Sequence, residues 1–210
     1  LNITIIFFLG FLVALVGVTP PGLLNMTAAK ISLKDGHSRG IMFSAGACTI
    51  VIAQTYIGVL FARYLSNHQD VVVILQRVAF VLFVLITIYF LLLAKKDPAK
   101  KNVDFKVKSK KSRYFQGVLL SALNVFPIPY QAYMSITLAS FGWMDFEQTS
   151  ILSYVAGAVS GSFVMFYIYI FFFDKIKNKS ITSQKSMNYL IGTVTGVISI
   201  ITLFHIIGDL

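Results

Sequence analysis

Six long apolar stretches alternate with short polar connections along the 210-residue chain. They cover residues 3–29, 41–62, 71–94, 114–144, 150–173 and 187–208. A helix needs about 20 mainly apolar residues to cross hydrocarbon, so each stretch predicts a transmembrane helix. None of the six holds an Asp or Glu; the third contains Arg77 and the sixth His205. The first stretch has no basic leader and outruns the short apolar core of a secretion signal, so it too is read as a span. Composition agrees: the chain is 57% hydrophobic and 12% charged, against about 25% charged in soluble domains. A water-soluble domain is excluded.

Charge adds orientation. Sixteen of the eighteen Lys and Arg residues fall in the connections after the first, third and fifth spans; Arg63 and Arg77 lie on the other side. Basic loops stay in the cytoplasm, so both termini are expected to be extracytoplasmic. The segment 95–113 is the longest polar connection, with nine basic residues and the acids Asp97 and Asp104. It reads as a topology determinant and linker that can lie on anionic head groups of the lipid bilayer. The net charge of +10 is therefore no sign of a nucleic-acid partner. A single cysteine, Cys48, excludes an intramolecular disulfide and reads as a packing residue. Trp143, with Tyr130 and Tyr133, reads as an interfacial anchor. The pairs Gly157/Gly161 and Gly192/Gly196 permit close helix approach, either between the fifth and sixth spans or in a homodimer.

Two proline pairs change the picture most. Pro20-Pro21 interrupts the first apolar stretch, and Pro127 with Pro129 interrupts the fourth, 107 residues later. A proline inside a helix removes a donor and collides with the preceding turn, here freeing the carbonyls of Val16, Gly17, Leu123 and Val125. Lipid offers those carbonyls nothing, so such breaks persist only when buried in protein or lining a cavity. Interrupted spans at matching places in two halves point to a transporter's substrate site. Three spans per half place the second half upside down relative to the first. The expected fold is thus all-α and polytopic: six transmembrane helices in two inverted three-helix repeats, residues 1–94 and 114–210, joined by the linker 95–113, with the first and fourth helices broken. Aligning Pro20 with Pro127 also superposes Leu12 on Leu119 and Val18 on Val125.

The helices restart around Gly22 and Tyr130. Helix N-termini carry unpaired N–H groups and partial positive charge, which suit a carboxylate, while freed carbonyls suit an ammonium. A zwitterionic small molecule supplies both. The candidate substrate-binding residues are Thr19, Pro20, Pro21, Gly22 and Asn25 at the first break, and Asn124, Pro127, Pro129 and Gln131 at the second. The alternative is that the prolines are kinks that only shape packing. Thr27, Ser44, Thr49, Gln54, Thr55 and Tyr56 either line a polar pathway or bond helix to helix.

These motifs carry a resemblance. VTPPGLLN at 18–25, KDGHSRGIMFSAG at 34–46 and ALNVFPIPYQAY at 122–133 resemble the lysine exporter (LysE-type) family of bacterial inner-membrane exporters. That family typically has Pro-Gly-Pro late in the first segment and Asn-Pro in the fourth. Here Leu23 replaces the second proline of the first motif, and Pro127 stands three residues beyond Asn124. The resemblance implies secondary export of amino acids or related metabolites across the inner membrane, with no enzymatic activity. The acid that the family often shows in its second span is absent. With no carboxylate in any span to face a lysine ammonium, the substrate is expected to be a small neutral amino acid. His205 is the candidate for proton coupling. No ATP-binding motif, cofactor or metal site is expected. The other readings are a heavy-metal exporter using Cys48 with Met26, Met42 or Met134, a membrane assembly protein, and an intramembrane protease. For the last, Ser160 and His205 differ in depth by roughly 10 Å, too far for a dyad.

Overall fold

A computed structural model describes residues 2–93, 109–176 and scattered positions between 189 and 203. The described residues form helices joined by short turns, with no strand among them: α1 (Ile3–Val18), α2 (Leu23–Asp35), α3 (His37–Ser66), α4 (Gln69–Ile88), α5 (Lys110–Leu123), α6 (Pro127–Ser140) and α7 (Gln148–Ile176). A π-helical turn, Tyr89–Leu93, continues α4. Most of the basic linker and of the sixth apolar stretch, His205 included, lies outside the described residues.

Local chemistry sets the boundaries. Asn2 caps α1 through the amide of Thr4 at 2.9 Å, and Ser109 caps α5 through Ser112 at 3.1 Å; both side chains satisfy a donor that the helix cannot. Pro127 opens α6 at its first position, where no N–H is needed. Gly36 ends α2 with φ +96°, a conformation that favours glycine. Two boundaries differ from the apolar pattern. Helix α2 runs six residues past the apolar stretch to Asp35, and α5 begins four residues ahead of its own. Hydropathy marks the lipid-facing part of a helix; caps and Gly36 mark its ends.

Helices α3 and α7 are each long and apolar enough to cross a membrane, and α1 with α2, bent by 77° at the break, makes a third candidate span. The chain divides into two compact units. One comprises Leu1–Ser66 with Phe105–Ile176, the other Asn67–Asp104 with Lys177–Leu210.

The first unit is organised by two helix crossings, α1 on α7 and α5 on α3. At the first, Gly10 lies against the carbonyl of Tyr154 and Gly157 against that of Phe7. At the second, Gly117 lies against the carbonyl of Phe43 and Gly46 against that of Tyr114. In all four places an added Cβ would strike backbone. The numbering repeats: Phe7 and Gly10 stand 107 residues before Tyr114 and Gly117, while Phe43 and Gly46 stand 111 before Tyr154 and Gly157. The same four-residue contact occurs twice. Gly157 and Gly161 therefore pack on Phe7 and Phe11 of α1, rather than on the sixth span or a second copy. Around the crossings, Tyr154, Phe43, Phe166, Ile6 and Ile151 are fully buried. Outward-facing Val16, Leu119, Leu123 and Val125 are more than half exposed, an apolar exterior of membrane type.

The helix ends sort by charge. The C-terminus of α2, the N-termini of α3 and α5 and the C-terminal part of α7 meet at one end: Arg113 bonds Asp35, Arg39 bonds the Asp35 carbonyl, and Ser32 bonds the Ile170 carbonyl. Ser153 bonds the Ile3 carbonyl, and Gln148 bonds Tyr56, at the opposite end. In the second unit Gly192 meets the side chain of Leu91, and Gly196 that of Thr87. This glycine pair thus faces the end of α4 and its π turn.

Candidate functional site

The first break is pinned by one side chain. Asn25, in the first turn of α2, is 3% exposed. Its Oδ1 accepts from the amides of Gly22 (2.7 Å) and Met26 (3.2 Å). Its Nδ2 donates to the carbonyls of Val18 (2.8 Å) and Pro20 (2.9 Å). Both donors and both acceptor positions of the amide are thus in use. The Tyr169 hydroxyl donates to the Thr19 carbonyl at 2.9 Å, and the Thr19 hydroxyl to the Leu15 carbonyl at 2.7 Å. The Val16 carbonyl, expected to be orphaned, accepts from the Thr19 amide at 3.2 Å because the last turn tightens. At the start of α2, the amides of Leu23, Leu24 and Asn25 meet no acceptor among the described residues. Thr19, Pro20 and Gly22 are exposed and Pro21 is half-buried. These positions form a surface around three unused N–H groups.

The second break is pinned from another helix. Gln54 of α3, 5% exposed, donates through Nε2 to the carbonyls of Ser121 (2.9 Å) and Asn124 (2.7 Å). Pro127 and Pro129 take the first and third positions of α6 and have no N–H. The Ile128 amide returns to Val125 at 3.2 Å, and that of Tyr130 to Phe126 at 3.3 Å. The Val125 carbonyl is therefore satisfied, contrary to the sequence expectation. The restart of α6 presents no unused donor among these four positions, whereas the start of α2 presents three. At the second break the carbonyls of Ala122 and Leu123 and the amides of Val125 and Phe126 have no hydrogen bond among the described residues, and the same is true of the Gly17 and Pro21 carbonyls at the first break. Buried polar atoms lie close by. Gln54 Oε1, Thr55 Oγ1 and Ser121 Oγ are enclosed and unpartnered, which is uncommon for buried polar groups.

Tyr130 joins the two breaks. Its hydroxyl donates to the Val13 carbonyl at 2.9 Å. Its ring fills the space beside Gly17, where an added Cβ would stand 2.6 Å from Cε1. Phe126 stacks on it at 6.2 Å. Tyr130 is thus no interfacial anchor, whereas Trp143 and Tyr133 are exposed beyond and along α6. Gln131 is buried and accepts from the Tyr154 hydroxyl at 2.7 Å. Asn124 and Pro127 are half-buried and Pro129 is exposed. No hydrogen bond among the described residues connects Asn25 directly with Asn124 or Gln131; Tyr130 makes the link.

Sequence reasoning missed Tyr130, Tyr154 and Tyr169 as partners of the breaks, and left Gln54 undecided between pathway and packing. The available signal was one of type: a hydroxyl or amide in an apolar helix must find a partner. Cys48 is buried among Phe43, Ala47 and Phe166, a packing position. Ser160 bonds back to the Ala156 carbonyl within α7 at 2.8 Å. Among the described residues, no group of His, Cys, Asp or Glu is placed to hold a metal ion.

Apolar helices broken at prolines, with the breaks held open by buried amides and joined by a tyrosine, define a membrane transport protein. The family model of LysE type translocators matches residues 15–204, and the chain belongs to that family. No curated protein and no solved structure matches it significantly.

Proposed function

We propose that this protein is a secondary exporter of small neutral amino acids or close derivatives across the bacterial inner membrane. The observation that carries the reading is that both breaks leave unused backbone donors and acceptors. Three unused N–H groups at the start of α2 suit a carboxylate. The unused carbonyls of Ala122 and Leu123 suit an ammonium. Tyr130, at the second break, bonds α1 just ahead of the first, which supports placing the two on one pathway. Thr19, Pro20, Pro21 and Gly22 then frame the carboxylate side, and Asn124, Pro127 and Pro129 the ammonium side. Asn25 and Gln131 position them. Among the described residues of the first unit, the fully buried carboxylate, Asp35, already has an Arg partner, which favours a neutral substrate side chain over a basic one.

The architecture belongs to the same proposal: six spans in two inverted repeats, 1–94 and 114–210, around the linker 95–113. The twice-repeated glycine contact supports it, because a two-fold axis exchanging the halves carries α1 on α7 into α5 on α3. The compact units support it as well, since the first and second spans of each half fall in one unit and the third and sixth in the other. Collection of Lys30, Lys34, Arg39, Lys110 and Lys111 at one end of the first unit supports a cytoplasmic placement of that end, with both termini outside and His205 as the proton-coupling group. The test is efflux from cells loaded with a panel of dipeptides. Faster loss of small neutral amino acids when the protein is present is the expected result. Equal loss of every amino acid with and without it overturns the reading.

A further inference from the structure

At the end of the first unit where α2, α3, α5 and α7 meet, two opposite charges are buried together. Arg113 is 4% exposed at its side chain and Asp35 0%. Arg113 donates from Nε at 2.8 Å, and from Nη2, to the same oxygen, Asp35 Oδ2. Its Nη1 bonds Gln116 at 2.6 Å. Arg39, at the start of α3, bonds the Asp35 carbonyl at 2.6 Å. The other carboxylate oxygen, Asp35 Oδ1, is enclosed and has no partner. A fully built structural ion pair would fill both oxygens; this one is held by a single strong point. Helices α2 and α5 otherwise touch sparingly, so the pair is the main link between them. Each belongs to a broken span, α2 as the half leading away from the first break and α5 as the half leading to the second.

We propose that Asp35 and Arg113 form the cytoplasmic latch of the transport pathway, closed in this structure. A buried ion pair is close to break-even, because its Coulomb attraction offsets the desolvation of two charges. Separating it in a dry interior is costly, but separating it into water that enters between α2 and α5 is not. The pair therefore has two states of similar free energy, joined and dry or parted and wet, as a gate requires. Parting it frees the ends of both half-helices and admits water toward the breaks from the side on which Lys30, Lys34, Lys110 and Lys111 stand. On the outward side of the breaks, α1 and α6 meet through Tyr130 on Gly17 and Val13, a contact without charges. The two ends of the pathway are thus closed by different chemistry, ionic on the cytoplasmic side and aromatic on the outer side.

The proposal rests on the transport reading, but its test needs no substrate. Cys48 is the only thiol and lies about 16 Å along α3 from His37, at 1.5 Å per residue. It shares a buried cluster with Leu24, next to the first break. A membrane-impermeant maleimide is applied to sealed vesicles of each orientation, and Cys48 labelling is timed. The wild type should label slowly from both faces. The neutral pair Asp35→Asn/Arg113→Gln, which leaves no lone buried charge, should label about tenfold faster from the cytoplasmic face only. The exchanged pair Asp35→Arg/Arg113→Asp should restore slow labelling. Unchanged labelling in the neutral pair, equal acceleration from both faces, or acceleration from the outer face overturns the latch. So does an exchanged pair that labels as fast as the neutral one while still extracting as a monodisperse species. Loss of transport with the labelling pattern intact would count against the transport reading alone.

Discussion

Asn25 and Gln54 do at two places what the broken helices cannot do for themselves. Each is buried and hands its amide to backbone carbonyls that a proline or a chain turn has stripped of donors. An apolar isostere at Asn25 would strand two carbonyls and the Gly22 amide, each at about 1–3 kcal/mol where buried. Asn25→Leu should therefore lower the thermal midpoint of the detergent-purified protein by several degrees more than Thr27→Val, whose hydroxyl only bonds back to Leu23 within the helix. Equal effects of the two substitutions would mean that the amide does not hold the break. Gly22 separates folding from transport. The nearest atom to an added Cβ there is Asn25 Oδ1 at 3.4 Å, and its φ of −107° suits any residue. Gly22→Ala should keep wild-type stability yet slow efflux, because its methyl group would stand beside the free amides of α2. Undiminished efflux would remove Gly22 from the substrate surface.

Among the elements, the paired crossings carry the fold. Gly10 and Gly117 occupy the same place in two copies of one contact, each with backbone where a Cβ would go. Gly10→Ala and Gly117→Ala should each destabilise by about 1–3 kcal/mol, as overpacking of a close contact does. Chemical unfolding of both variants checks this, and a large effect at one site with none at the other would break the equivalence. The breaks were legible in the sequence because proline acts locally: Pro20, Pro21, Pro127 and Pro129 end or begin helices whatever surrounds them. The clamps were not, because Gln54 reaches a carbonyl 70 residues away and Tyr130 one 117 residues away, and nothing local reports such partners. The Asp35–Arg113 pair was hidden for a second reason. Lys30 and Lys34 end the apolar stretch before α2 itself ends, so Asp35 reads as a loop residue when it is a buried helical one. The glycine correspondence was present as a 107-residue offset, but it acquires meaning only once the facing carbonyls are known.

For the whole molecule, the family match shows a translocator, and the proposed orientation and substrate rest on charge and polarity. A reporter active only in the cytoplasm, fused after Leu210, should stay silent, and activity there would reverse the proposed topology. Six apolar stretches and a 16-to-2 partition of basic residues made the membrane class plain from the sequence. The third and sixth stretches and the linker say little more, since their chemistry is apolar or uniformly basic. The central claim is that one zwitterion bridges the unused amides of α2 and the unused carbonyls of α5. The most direct measurement is competition against efflux of a transported neutral amino acid in inverted vesicles, using two analogues of that substrate: the amine lacking its carboxylate, and the N-acetyl derivative lacking its ammonium. Each loses one end of the bridge, and both should compete at least about tenfold more weakly than the parent, the ratio that corresponds to about 1.4 kcal/mol. If either analogue competes as well as the intact zwitterion, one of the two breaks does not hold the substrate and the account is contradicted.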